Sequence, residues 1–322
     1  MTDGLDLLIN SNSQMNVSEC AICGNSDFSV FHQVSDYLMD APDLTTSFMS
    51  CDVCGLIFQN PRLSQSKIHE YYPPEYDSYQ DIELYPDDLY SRIATRGLLK
   101  RSQVVIDNKG SGKLLDVGCA TGNFLRMMQK FPGWDLQGVE ISEHAAKIAR
   151  ENYQLNVYTG VIEEANYPAD HFDVVTLWDV LEHILDPNSL LFEVNRVLKS
   201  SGNLILRVPN GGSWDAKLFG KFWSGLDAPR HYYVFDRNTI TRLLELSGFR
   251  IKKLDCSIGG SVAFPLDVRF YLAGKGVSEK WQRVIWNVVS HPITKFIMLP
   301  ITYLFDHLLM GSFLVVVAEK RR

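Results

Sequence analysis

The stretch that most constrains the fold is residues 114–122, which read Leu-Leu-Asp-Val-Gly-Cys-Ala-Thr-Gly. Its apolar start is typical of a strand buried in a sheet. Gly118, Ala120 and Gly122 then keep large side chains away from the turn that follows. Residues 124–128 begin a helix whose first backbone amides point at that turn. The pattern predicts a strand, a tight turn and a helix, with a small polar or anionic ligand held against the turn.

Glycine spacing distinguishes between two ligand classes that use such a turn. A dinucleotide motif G-x-G-x-x-G that starts at Gly118 would need glycine at 120 and 123, where this chain has Ala120 and Asn123. Instead, Asp116 ends the strand and is followed by Gly118 and Gly122. This pattern resembles motif I, D-x-G-x-G-x-G, of the class I S-adenosylmethionine-dependent methyltransferases. Alanine at the middle glycine is expected to be a mild departure, because a methyl group intrudes little.

Further segments match the same family in order and spacing. A second strand, 135–140, ends in Glu140 about twenty residues after the turn, where a carboxylate can accept both ribose hydroxyls of the donor. The apolar run 172–179 is typical of a parallel strand buried on both faces. The passage D-x-L-E-H-x-x-D-P at 179–187 looks like the segment after the fourth strand of the family. The remaining predicted strands are 203–208 and the antiparallel pair 249–254 and 313–318.

The resemblance implies a fold and a donor site. The fold is α/β, a doubly wound, mostly parallel seven-stranded sheet of the Rossmann-like methyltransferase type, over residues 110–322. The cofactor is S-adenosylmethionine, with Glu140 on the ribose. Relatives often place an acid near the adenine where this chain has Val161, so the backbone alone is expected to contact the adenine amine. The residues implied to line the donor site are Asp116, Gly118, Ala120, Gly122, Glu140, Ile141, Val161, Ile162, Trp178 and Asp179.

Four cysteines form two C-x-x-C pairs, each followed directly by a glycine, at Gly24 and Gly55. Such doubling is typical of two zinc knuckles, in which the glycine turns backbone amides toward thiolate sulfur. Residues 24–50 separate the pairs by more than the common spacing, and a hairpin would absorb the difference. Disulfides are the alternative, which a reducing cytosol disfavours. The predicted ligands of a structural zinc ion are Cys20, Cys23, Cys51 and Cys54.

Composition limits the class of protein. At 322 residues and 46% hydrophobic content, the chain can form one large domain and a small one. Its net charge of −7 disfavours a partner with a nucleic-acid backbone. The N-terminus lacks the basic and apolar regions of a secretion signal, so we expect a cytoplasmic location.

The chain divides into segments of different character. Residues 1–19 are predicted to be a flexible tail, 20–60 a zinc-ribbon-like module, and 61–109 a linker with a helix. The methyltransferase-like domain would then occupy 110–322.

Residues 211–235 place aromatic side chains among glycines, which predicts a mobile substrate loop that stacks on a sugar or a planar ring. The string P-R-H-x-x-x-F at 229–235, with T-I-x-x-L-L-x-x-S-G-F at 239–249, is similar to methyltransferases of saccharide biosynthesis. That subgroup often also carries a four-cysteine module. The resemblance therefore implies a small acceptor, a sugar linked to a nucleotide or a lipid.

Two histidines are candidates for catalysis. Methyl transfer from a sulfonium is an in-line displacement, and a hydroxyl acceptor also benefits from a base. We predict His231 as that base, with His183 as the second candidate. Glu182 and His183 could alternatively bind a divalent cation, as the resemblance suggests for some quinone-pathway relatives. An RNA methyltransferase and a quinone or lipid O-methyltransferase at the membrane stay as alternatives, and the acceptor atom is open between oxygen, carbon and nitrogen.

Residues 280–310 form an apolar helical insertion with prolines at 292 and 300. A membrane span needs about 20 uninterrupted apolar residues, which the prolines and Lys295 argue against. We expect helices that pack on the core or on a second copy in a homodimer. The alternative is an interfacial helix, over 281–309, that brings the enzyme to the inner membrane face and to lipid-linked substrates. Residues 275–322 support it with seven Lys or Arg against three Asp or Glu.

Overall fold

The computed structural model describes residues 14–38, 41–73, 84, 89–256 and 260–321. Most of the predicted tail at 1–19 and the middle of the predicted linker at 61–109 therefore lie outside the described residues.

The N-terminal part of the chain contains short strands and two helices. Strands β2 and β3 form an antiparallel hairpin between the two cysteine pairs. The helix expected before the first core strand extends over twenty residues as α2. In order, these elements are β1 (Gln14–Met15), β2 (Phe28–Asp36), β3 (Ala41–Cys51), β4 (Ile57–Gln59), β5 (Arg62–Leu63), α1 (Gln65–Ile68) and α2 (Leu89–Asn108).

The middle of the chain alternates strands and helices, as a doubly wound sheet requires. Its elements are β6 (Gly112–Val117), α3 (Asn123–Met128), β7 (Trp134–Glu140), α4 (Glu143–Tyr153), β8 (Asn156–Thr159), β9 (Phe172–Trp178), α5 (Pro187–Val197), β10 (Leu198–Pro209), α6 (Trp214–Phe219), β11 (Tyr233–Val234) and α7 (Arg237–Leu246). The C-terminal part adds β12 (Phe249–Asp255), α8 (Gly260–Gly274), α9 (Glu279–Val289), α10 (Pro292–His307) and β13 (Phe313–Lys320).

The central sheet has seven strands within the described residues, in the order β12, β13, β10, β9, β6, β7, β8. Strand β13 pairs antiparallel with both β10 and β12, and the pairs from β10 to β8 are parallel. The order of strands reverses direction between β6 and β9. Ligands of open α/β sheets bind at the carboxyl ends of the strands at such a point. The predicted fold is confirmed, and it places the residues after β6, β7 and β9 at one edge.

A second, four-stranded sheet joins the N-terminal part of the chain to the predicted substrate loop. It has the order β11, β4, β3, β2, so that β11, from the predicted substrate loop, extends the sheet of the cysteine-rich part. Residues 20–60 and the loop 211–235, predicted from the sequence as separate segments, are thus joined in one sheet.

Helices α8, α9 and α10 lie between β12 and β13. Large apolar side chains of α9 and α10 are exposed, so most of residues 280–310 do not pack on the core of this chain. Packing on a second copy, the other part of the expectation, stays a prediction. In the described part of the chain, no single helix has the length and apolar content to cross a membrane. Helices α9 and α10, bent by 54° at their junction, satisfy both criteria when taken together.

Candidate active site

The turn after β6 has the backbone conformation that its glycines allow. Gly118 and Gly122 have φ values of 70° and 80°. Residues with a Cβ rarely adopt such positive φ angles, whereas glycine does so readily. A Cβ at Gly118 would lie 2.6 Å from Cγ2 of Val180, just after β9. The turn and the segment after β9 are therefore in contact, and glycine at 118 is what permits it.

Ala120 departs from the family pattern at a greater cost than the sequence suggested. Its φ is 48°, so the residue lies in the left-handed region, where a Cβ costs about 1–2 kcal/mol. The expectation of a mild departure rested on the space for a methyl group and did not include this backbone strain. The backbone N–H of Ala120 compensates in part by donating to Oε2 of Glu140 at 2.8 Å.

Glu140 connects the end of β7 to the turn. Its Oε1 accepts from the N–H of Ser142 at 2.8 Å, and its Oε2 accepts from Ala120. Burial raises the pKa of Glu140, and the backbone N–H donors oppose that rise. A carboxylate has about four acceptor positions, so two backbone contacts leave capacity for the two ribose hydroxyls.

Asp116 lies beneath the turn and is 2% exposed. Its Oδ1 accepts from the hydroxyl of Thr176 at 2.6 Å. Burial raises the pKa of Asp116 to about 7, although Thr176 and the charge of Arg101 oppose the rise. Among the predicted donor-site residues, Asp116 is thus buried and joins β6 to β9 just before the turn.

The end of β9 carries an ion cluster that the sequence did not reveal. Asp179 accepts from Nε of Arg207 at 2.7 Å and from a guanidinium nitrogen of Arg101, on α2, at 2.9 Å. Burial alone would raise the pKa of Asp179, but the charges of Arg207 and Arg101 lower it below its usual range. The Arg101 guanidinium also lies 5.3 Å from the ring of Trp178. No sequence pattern around Arg101 predicts that its side chain lies beside Trp178 and Asp179 at the end of β9.

Three of the predicted donor-site residues, among them the predicted adenine contacts Val161 and Ile162, differ in exposure. Ile141 is 60% exposed, Val161 is half-buried, and Ile162 is buried in the core. Only Ile141 and Val161 therefore have side-chain surface available to a ligand.

Glu182, His183 and His231 form a second cluster, beyond the end of β9. One carboxylate oxygen and one nitrogen of each ring lie within 4.8 Å of one another. Glu182 is fully buried, and neither of its carboxylate oxygens has a hydrogen-bond partner among the described residues. Burial and the charge of Asp179 raise the pKa of Glu182 well above its usual value. The structure thus brings the two candidate histidines together with an acid whose oxygens have no described partner.

His231 has a defined tautomer. Its Nδ1 lies 2.8 Å from the carbonyl oxygen of Gly225, which can only accept, so Nδ1 carries the proton and Nε2 keeps its lone pair. Burial lowers the pKa of His231, while the charge of Asp227 opposes that effect. The ring is therefore neutral at pH 7, the form that a base requires.

His183 is the less suitable base. Burial, followed by the charge of His231, lowers the pKa of His183 to about 3. Its Nδ1 lies 2.8 Å from the hydroxyl of Tyr72 and 3.1 Å from the carbonyl oxygen of Arg230. A group with so low a pKa accepts a proton weakly, so His183 is suited to hydrogen bonding or to binding a cation.

The loop that carries His231 is held by a buried ion cluster. Arg230, fully buried, donates to both carboxylate oxygens of Asp36, on β2, at 2.8 and 3.0 Å, and to Asp227 at 2.7 Å. Gln59, on β4, donates from Nε2 to the carbonyl oxygen of His231 at 2.6 Å. The N-terminal sheet therefore fixes the backbone on both sides of the His231 ring.

Aromatic residues of the predicted substrate loop pack against other parts of the protein. Trp223 is 4% and Tyr232 1% exposed, and the ring of Trp214 stacks between Phe264 and Phe305. The prediction of a mobile loop that stacks on its ligand is wrong for these residues. Composition shows that aromatic groups need a partner, but not whether the partner is a ligand or a neighbouring helix.

The four paired cysteines converge as the sequence predicted for a metal site. Cys20 and Cys54 have their sulfur atoms 3.4 Å apart, Cys23 and Cys51 theirs 3.5 Å apart, and all four sulfur atoms lie within 4.8 Å of one another. None of the six cysteines, all of which lie in the described ranges, forms a disulfide. Burial opposes ionisation of Cys51, but the N–H groups of Cys54 and Val53 contribute to lowering its pKa to about 6.

Known proteins resemble the chain at the level of family and fold. Residues 83–254 match a family described as a methyltransferase domain. The mitochondrial ubiquinone biosynthesis O-methyltransferase of Candida albicans is 27% identical over 178 residues, 51% of each chain. The ubiquinone biosynthesis O-methyltransferase of Thiobacillus denitrificans is 35% identical over 100 residues, 28% of this chain and 41% of the relative. The chain spans about half the length, or less, of these curated relatives.

A solved structure shows the same fold. A proposed sarcosine dimethylglycine methyltransferase from Galdieria sulphuraria superposes with a TM-score of 0.51 at 16% identity, over 80% of this chain and 97% of that one. The family match covers more than half of the residues and includes the turn, Glu140 and the segment after β9. The chain therefore belongs to the methyltransferase domain family.

Proposed function

We propose that the chain is an S-adenosylmethionine-dependent methyltransferase that transfers the methyl group to a hydroxyl of a small molecule, with a nucleotide-linked or lipid-linked sugar as the first candidate. The observation that carries this proposal is the neutral His231, which keeps a lone pair on Nε2 because Nδ1 donates to Gly225, and which lies in one cluster with the buried Glu182. An amine acceptor already has a lone pair for the displacement, whereas a hydroxyl must lose its proton as the new bond forms. A base in this position therefore favours an acceptor with a proton to lose.

Donor binding and acceptor activation use different elements of the fold. The turn after β6 and Glu140 hold the donor. The segment after β9 approaches the turn through Val180 and continues directly into Glu182 and His183. An acceptor oxygen between the turn and Nε2 of His231 would be aligned with the methyl group and lose its proton to the ring.

The polarity of the second cluster supports a sugar acceptor. A buried polar group without a hydrogen bond costs about 1–3 kcal/mol. The two oxygens of Glu182 have no described partner, so an acceptor that supplies several hydroxyl groups would satisfy them. The string P-R-H-x-x-x-F and the four-cysteine part support the same substrate class by resemblance.

Quinone-type O-methylation is the second candidate. The relatives from Candida albicans and Thiobacillus denitrificans are both named for ubiquinone biosynthesis. Glu182, His183 and His231 also form a carboxylate and two-imidazole set that fits a divalent cation. A cation there would polarise an acceptor oxygen in place of a base.

An acceptor screen distinguishes these candidates. The enzyme with S-adenosylmethionine is incubated with nucleotide sugars, lipid-linked sugars, catechols or RNA, with and without a chelator, and each product is analysed by mass spectrometry. We expect one methyl group to be added to a sugar, unaffected by the chelator. Methylation of catechols alone, lost with the chelator and restored by a divalent cation, would support the second candidate instead. Methylation of RNA would contradict both.

We also propose that the four paired cysteines bind one structural zinc ion. Tetrahedral coordination with zinc–sulfur bonds of about 2.3 Å places sulfur atoms about 3.8 Å apart. The observed contacts of 3.4 and 3.5 Å need only small adjustments. The zinc would join the loops before β2 and after β3, at the base of the sheet that holds the His231 loop.

Removal of this zinc is expected to lower the melting temperature, because metal that binds only the folded chain stabilises it. Metal analysis should find about one zinc per chain, lost in Cys51→Ser and retained in the control Cys256→Ser, whose thiol lies outside the cluster. Equal zinc content in the two variants would contradict the assignment.

A further inference from the structure

Helix α10 exposes most of its large apolar side chains. Its partly buried side includes Thr294, Met298, Thr302 and Phe305. A surface helix of a water-soluble protein is expected to turn its apolar side chains to the core and polar ones to the solvent. The exposed set, at 44–74% exposure, consists of Ile293, Phe296, Ile297, Leu299, Ile301, Tyr303, Leu304 and Leu308.

Helix α9 continues this surface and adds positive charge. Trp281, Val284 and Val288 follow helical spacing and are 44–59% exposed. Lys280 directly precedes Trp281, Arg283 directly precedes Val284, and Lys275 precedes the helix. From 275 to 293 the described residues contain these three cations and one acid, Glu279, in a chain of net charge −7.

We propose that α9 and α10 insert their exposed apolar side chains into the interfacial layer of a membrane that contains anionic lipids. Apolar and aromatic side chains beside Lys and Arg are the composition of helices that lie in a membrane surface. Trp and Tyr, represented here by Trp281, Trp286 and Tyr303, are the residues enriched at that depth. The cations match the negative charge of the lipid head groups.

The same features disfavour a second copy of the chain as the occupant. A helix pair normally meets along one narrow stripe, whereas α10 exposes apolar residues on both flanks of its buried side. Two copies joined through this surface would also bring two sets of Lys275, Lys280 and Arg283 together. A bilayer accommodates the wide apolar face and is attracted to the cations.

This surface is structurally connected to the candidate active site. Trp214 stacks between Phe264, on α8, and Phe305, on α10. Helix α8 also supplies Asp267, whose Oδ1 accepts from the N–H of Ser224 at 2.7 Å, one residue before the Gly225 carbonyl that holds His231. A membrane bound to α9 and α10 would therefore lie against the scaffold of the acceptor site. The inference does not depend on which acceptor is methylated.

Vesicle flotation without any acceptor tests the proposal. We expect the full chain to float with vesicles of phosphatidylcholine and phosphatidylglycerol, and less with phosphatidylcholine alone. The double substitution Phe296→Ser and Ile297→Ser should lower the vesicle partition coefficient at least about tenfold, because both side chains lose their transfer into the apolar layer. Phe192→Ser, which changes a side chain 72% exposed on α5, is the matched control and should leave binding intact.

The charge component is tested separately. Lys280→Glu with Arg283→Glu should remove the preference for phosphatidylglycerol and the sensitivity of binding to salt. Melting temperatures of all variants establish that they are folded. Failure of the folded wild-type chain to float would overturn the proposal. So would a dimer, detected by light scattering, that the Phe296 and Ile297 substitutions dissociate while flotation is absent.

Discussion

Replacing His231 by glutamine is expected to lower kcat by about 10²–10⁴-fold, the usual contribution of a positioned base. Glutamine can still donate to the carbonyl oxygen of Gly225, so the loop should keep its conformation, but it cannot take a proton at pH 7. The dissociation constant of S-adenosylmethionine, measured by calorimetry, should not change, since the proposed donor site lies at the ends of β6 and β7. Steady-state kinetics with the acceptor identified by the screen provide kcat.

The pH dependence of kcat/KM checks the same assignment. A base acts in its neutral form, and burial keeps the pKa of His231 below its ordinary value of 6.5. Activity should therefore persist as the pH falls through 6.5 and decline only below it. His231→Gln should lose this acid limb, and the control His144→Gln, on the exposed side of α4, should keep it. An unchanged kcat in His231→Gln would return the histidine to a structural role.

Asp36→Ala is expected to reduce the free energy of unfolding by about 3–5 kcal/mol, the cost of removing one partner from a buried ion pair. Arg230 is fully buried and would lose both hydrogen bonds to Asp36, retaining its pair with Asp227. Urea denaturation measures the loss. Asp27→Ala, an exposed aspartate just before β2, is the control and should change stability little.

The same variant tests whether the N-terminal sheet positions the catalytic loop. In the folded fraction of Asp36→Ala, kcat should fall while S-adenosylmethionine binds with unchanged affinity, because the loss of Asp36 loosens the segment that carries His231. Asp36→Asn keeps one acceptor oxygen, so its kcat should lie between that of the wild-type chain and that of Asp36→Ala. A loss of stability with kcat unchanged would show that Asp36 contributes packing and no positioning.

The part of the fold that carries the proposed donor site could be predicted from the sequence because its signals are local. Asp116, Gly118 and Gly122 lie within seven residues, and Glu140 ends the next strand at the spacing that the fold requires. Each of these elements is recognisable from its own pattern of apolar and small residues. The structure confirms the sheet that they predict.

The acceptor half depends on contacts between distant residues and could not be predicted in the same way. The bond from Gln59 to His231 joins positions separated by 172 residues, and that from Asp36 to Arg230 positions separated by 194. No local pattern specifies such a pairing. The strain at Ala120 was also missed, because a sequence shows the size of a side chain but not the φ angle that it must adopt.

The position of β13 has a consequence for how the chain is made. It is the last strand in sequence, yet it lies between β10 and β12, in the interior of the central sheet. During synthesis, β10 has an open edge and β12 cannot join the sheet until residues 313–320 leave the ribosome. Unpaired strand edges and exposed apolar surface favour aggregation at that stage. The apolar helices α8 to α10 emerge in this same interval, so the nascent enzyme is at its most vulnerable just before its last strand is added.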